Sequence, residues 1–122
     1  MEKKESGSGA SRKLLNLTYA YDNYEVDGSI YIEALENGEL YAVLTINLSG
    51  YGIRTGENLV ILKAYEMSPE LLDTVIHDLV EEVIVNIHYG PFDAWGLLVR
   101  LKNDWRERAV SLESLYQTDN ER

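Results

Sequence analysis

The sequence predicts an α+β domain: a mainly antiparallel sheet of about five or six strands, one amphipathic helix over 68–82 packed on it, and a short C-terminal helix. Three observations carry this expectation. Apolar residues alternate with polar ones in run after run, at 15–22, 24–35, 40–48, 83–89 and 95–101. A single segment, opened by Ser68-Pro69, has helical spacing instead. The order of four strands, a helix and a hairpin lacks the strand-helix-strand rhythm of a parallel, doubly wound sheet.

Taken in order, residues 1–11 (MEKKESGSGAS) have no apolar anchor and read as a flexible tail or linker, so the domain is expected over 12–116 with a frayed tail at 117–122. Leu15, Leu17, Tyr19 and Tyr21 mark the first strand, and Ile30, Ile32 and Ala34 one face of the second. Glu36-Asn37-Gly38-Glu39 joins the second strand to the third, because Asn and Gly both tolerate the positive φ that a tight hairpin turn needs. The run 40–48 (LYAVLTINL) is apolar on both faces, which predicts a central strand covered on each side. Three glycines punctuate 49–58, a G-x-G-x-x-x-G spacing that misses the dinucleotide fingerprint by one residue and reads as a turn. NLVILKAY at 58–65 is a fourth strand.

In the helix, Ser68 caps, Pro69 suits the first turn, and Leu72, Val75, Ile76, Leu79, Val80 and Val83 form the apolar stripe. The opposite face then carries Glu70, Asp73, Thr74, His77, Asp78, Glu81 and Glu82. Beyond it, 83–89 and 95–101 make a hairpin across Gly90-Pro91, and the spacing of Trp105, Ala109, Leu112 and Tyr116 predicts the terminal helix.

Charge is the other strong signal. The 122 residues carry a formal −10, and between Leu14 and Val99 fourteen Asp/Glu face only Arg54 and Lys63. Such a surface repels nucleic acid and anionic membranes and attracts basic proteins. There is no cysteine, hence no disulfide and no thiolate metal site, which fits a reducing compartment, and cytoplasm is the expectation.

No catalytic signature stands out, and no enzyme is expected: there is no G-x-S-x-G, no phosphate-cradling P-loop and no H-E-x-x-H. His77 has Asp73 at i−4 and Glu81 at i+4, a ligand spacing, but a metal needs three or four converging groups; neither metal nor cofactor is expected. His88 reads as structural. Tyr19, Tyr21, Tyr24, Tyr31 and Tyr41 lie among the acids of the first half. Rings among carboxylates suit a protein interface, and they equally follow from the preference of tyrosine for half-exposed sheet positions.

The run GSIYIEALENGELYAVLTINLSG, with its Y-A-x-L-T-[IV]-N-L core at 41–48 and the strand, acidic helix and hairpin that follow, resembles a family of small uncharacterised proteins of phages and conjugative elements of gut bacteria, over residues 30–101. The resemblance implies an accessory role on a mobile element. Joined to the charge, it points to a non-catalytic antagonist, of the anti-restriction or anti-CRISPR kind, that mimics nucleic acid and occupies a basic nucleic-acid-binding defence protein of the host. The expected partner-binding residues are Asp22, Glu25, Asp27, Tyr31, Glu33, Asp73, Asp78, Glu81 and Glu82. The alternative is a structural or scaffold protein that self-associates, for instance as a homodimer through a sheet edge, its acidity serving only solubility.

Overall fold

The computed structural model describes residues 14–115. The expectations for 1–11 and 117–122 lie outside that range. Among the described residues, seven strands form two sheets. β1 (Thr18–Asn23), β2 (Ile30–Glu36), β3 (Glu39–Val43) and the late β7 (Ala109–Ser111) make the first, in the order β3-β2-β1-β7. β4 (Leu59–Leu62), β5 (Val80–Tyr89) and β6 (Ala94–Leu101) make the second, in the order β4-β6-β5. All pairings are antiparallel except β1 with β7, where Tyr19 lies opposite Ala109.

The β2–β3 turn is the one the Asn-Gly pair dictates: Asn37 and Gly38 take φ of 54° and 83°, and Glu36 pairs with Glu39. The helix α1 spans Pro69–Leu79, with the Ser68 hydroxyl accepting from the Leu71 N–H at 3.1 Å. It stops short of residue 82 because Val80 turns extended and begins β5 directly. The buried face keeps Val75 and Leu79 of the expected stripe but is rotated by about one residue, burying Leu71, Thr74 and Asp78 and leaving Leu72 and Ile76 partly buried against the core. At the C-terminal end, a 3-10 turn (Trp105–Arg108) buries Trp105, β7 intervenes, and helix resumes only at 112–115.

The expected central strand at 40–48 is corrected. Its first half, β3, borders the sheet, leaving Leu40 60% and Tyr41 43% exposed. Its second half is instead the seam between the sheets. Leu44 N–H donates to Ile32 of β2, its carbonyl accepts from Lys63, and Ile46 N–H donates to Ile61 of β4, each at 2.9 Å. Thr45, buried, bridges Leu62, and its hydroxyl accepts from Ile32 N–H at 3.2 Å and lies 3.1 Å from the Tyr24 hydroxyl. Apolar alternation told correctly that both faces are covered there, but not that the chain changes neighbours midway.

One core spans both sheets and the helix, with Tyr19, Ile32, Leu44, Val60, Leu62, Val75, Leu79, Val99 and Trp105 all buried in it. Gly96 of β6 has no room for a side chain, since a Cβ there would stand 2.6 Å from the Leu62 carbonyl oxygen of β4.

Thr45→Val keeps the shape of the seam but strips the buried acceptor from Ile32 N–H. It is expected to cost about 1–3 kcal/mol in urea unfolding.

Candidate functional site

Strand register decides which acids face solvent together. In β1 and β2 the pairs Tyr19/Ala34 and Tyr21/Ile32 face the core, so the alternate pairs, Ala20/Glu33 and Asp22/Tyr31, stand on the outer face. There the Tyr24 and Tyr31 rings meet edge to face at 5.6 Å, and the Tyr31 hydroxyl donates to Glu33 Oε1 at 2.7 Å. Asp22, Tyr24, Glu25, Tyr31, Glu33 and Leu112 line a shallow depression of about 360 Å³. Among the described residues, Asp22, Glu25 and Glu33 form no ion pair.

Asp27 has a different task. Its Oδ1 accepts from the Ser29 N–H at 3.0 Å, the Ser29 hydroxyl at 2.8 Å and the Asn47 amide at 2.9 Å, tying the β1–β2 turn to the seam's exit. These bonds, the Ser29 backbone bond foremost, hold its carboxyl below the ordinary aspartate range. It lines a second, polar cleft of about 310 Å³ with Thr55, Asn58 and Arg106, the last lying 4.6 Å over the Trp105 ring.

The helix half of the expected surface does not join this face. Asp78 is buried: Oδ2 accepts from the Tyr19 hydroxyl at 2.6 Å, and Oδ1 lies 3.4 Å from Arg108 Nη2 and 3.1 Å from His77 Nδ1. Asp73 is half-buried on α1, where it has interactions of its own. Glu81 and Glu82 belong to β5 rather than to the helix, and Glu82 accepts from Arg100 Nε at 3.3 Å. Lys102 Nζ donates to the His77 carbonyl at 2.9 Å. Two acids of the expected surface thus meet bases of the C-terminal segment, Asp78 with Arg108 and Glu82 with Arg100.

Sequence reasoning missed the Tyr19–Asp78 bond, which joins positions 59 apart. The signal was there in the helix phase: Leu71, Val75 and Leu79 recur every four residues, and Thr74 and Asp78 ride beside them at spacing three.

The arrangement suits cation recognition. Carboxylates rim the depression and aromatic rings form its wall, the chemistry that holds an ammonium or guanidinium group. Among the described residues no three His, Asp or Glu side chains gather in a metal-binding group, and no helix is long and apolar enough to cross a membrane. His77 bonds Asp78 as above, and His88 Nδ1 lies 3.0 Å from Asp93 Oδ1. Compared with known proteins, the chain matches no family model, no curated protein and no solved structure.

Burial, and after it the Asp78 carboxylate, push the Tyr19 hydroxyl far above the ordinary tyrosine range. A folded-state value above the unfolded one means the proton is held more tightly in the fold. The stabilisation is therefore complete below about pH 10 and lost as pH rises beyond it. Unfolding free energy should fall above about pH 10 in the parent and fall less in Tyr19→Phe. At neutral pH, Tyr19→Phe is expected to cost about 1–3 kcal/mol by leaving buried Asp78 without its shortest bond.

Proposed function

We propose that the protein works by binding rather than by catalysis, receiving a basic protein surface on the outer face of the four-stranded sheet. In its specific form this is an accessory protein of a phage or mobile element that antagonises a nucleic-acid-binding defence factor, its carboxylates standing where phosphates otherwise pair with Lys and Arg. The observation that supports the reading is the gathering of Asp22, Glu25 and Glu33, none of them ion-paired among the described residues, around Tyr24 and Tyr31 in one depression. Tyrosine supplies contact area with little entropy to lose, and the acids steer and orient the cationic partner.

The binding residues are thereby narrowed to Asp22, Glu25, Tyr31 and Glu33. Asp27 is the brace that shapes the adjoining turn, and Asp78 is part of the interior. Glu82 is already neutralised by Arg100, so it offers a partner less than its charge implies.

Exposed ion pairs contribute roughly 0.2–1 kcal/mol each, so loss of three is expected to weaken binding by about tenfold. An arginine-rich peptide, titrated calorimetrically at low salt, should bind the parent chain and bind the variant Asp22→Asn/Glu25→Gln/Glu33→Gln about tenfold more weakly. Glu81→Gln/Glu82→Gln should bind as the parent does, and added salt should weaken parent binding steeply. Equal affinities for the triple variant and the parent, or indifference to salt, would remove the basis of the proposal.

A further inference from the structure

The second sheet carries an unfinished border. β5 is ten residues long and lies outermost, and Val83, Ile84 and Val85 are 45%, 40% and 48% exposed. At the tip of the β5–β6 hairpin Phe92 is 86% exposed. A long border strand with apolar side chains and unpaired backbone groups is a template for another strand, and protein surfaces rarely leave one open without use.

Irregularities in the strand define which part can serve. Register shifts fall between Val80 and Glu82 and between Val83 and Val85, so the first half is kinked. Residues 85–89 then pair without interruption, from Val85 opposite Leu98 to Tyr89 opposite Ala94. Only this second half presents a regular row of backbone groups outward.

We propose that a second copy of this chain occupies that row, β5 pairing antiparallel with β5 about a two-fold axis through Ile87 and joining two three-stranded sheets into one. In that register Ile87 meets Ile87, and Val85 meets Tyr89 of the second copy, all on the face shared with Leu98. On the other face Asn86 meets His88, an amide beside an imidazole. The stretch is complementary to itself on both faces.

Charge selects the same place. Two copies each carrying −10 approach most readily where carboxylates are absent. Residues 85–89 contain none. Of the acids that flank them, Glu82 is held by Arg100 at 3.3 Å, Asp93 Oδ1 lies 3.0 Å from His88 Nδ1, and exposed Glu81 stands four residues before the row. The other border strands suit less well: β7 has three residues, β3 opens on Glu39 directly opposite Glu36, and four-residue β4 is already bonded by the 44–46 stretch. The inference is independent of the acidic depression, which lies on the other sheet.

Sedimentation equilibrium of the full chain tests it. A dimer is expected, with Ile87→Lys raising its dissociation constant by about tenfold or more, because the pairing would bury an unpartnered charge. Val110→Lys, exposed on the border strand of the other sheet, should leave the dimer unchanged. Because the chain has no cysteine, Ile87→Cys is a second probe that leaves the charge alone. Directly opposed positions hold their Cβ atoms about 4.5–5.5 Å apart, so small backbone adjustment brings the two thiols within disulfide reach, and mild oxidation should give a covalent dimer. A chain that stays monomeric at every concentration, or a dimer that ignores Ile87→Lys and is not cross-linked through Ile87→Cys, would overturn the proposal.

Discussion

The fold depends on a three-residue stretch that has backbone partners on both sides. At 44–46 the chain leaves the first sheet and joins the second, and its amides and carbonyls bond Ile32 on one side and Ile61 and Lys63 on the other. Buried peptide groups must be paired, so this stretch sets the relation of the two sheets more firmly than side-chain packing alone could. Thr45 completes it by lending a hydroxyl where the ladder has no carbonyl to offer. The helix adds Leu71, Val75 and Leu79 to a core shared with both sheets.

On that frame the charges are sorted. The C-terminal bases reach back to the acids of α1 and β5, through Arg108 to Asp78 and Arg100 to Glu82. Asp78 in particular exchanges water for a tyrosine hydroxyl and a guanidinium, which lets a carboxylate sit inside a strongly acidic protein. Asp22, Glu25 and Glu33 gather on the outer face of the first sheet, and the exposed apolar border lies on the second. The molecule thus offers two chemically distinct surfaces, one polar and aromatic, the other a bare strand.

Much of this was legible in the residues. Asn37-Gly38 announced its hairpin, Ser68-Pro69 its helix start, and the alternation of 83–89 and 95–101 the second hairpin, because each is a local rule with a local cause. Clustering of Asp22, Glu25, Tyr31 and Glu33 was legible for the same reason, since two paired strands carry all but Glu25, which sits in the turn between them. What failed was non-local. Alternation in 40–48 reports which faces are covered and says nothing of which strand lies beside which. Glu81 and Glu82 were placed on the helix because helical and extended periods agree over so few residues, and Asp78 looked solvated because its partners, Tyr19 and Arg108, are far away in the chain.

The parallel pairing of β1 with β7 has a kinetic consequence. The first of the described strands finds one of its neighbours only in the last of them, and Trp105, which closes the core beside Tyr21, also emerges late. Closing so long a loop is entropically slow and cannot be built up by stepwise local contacts. During synthesis the four-stranded sheet therefore stays incomplete until residues 109–111 have emerged.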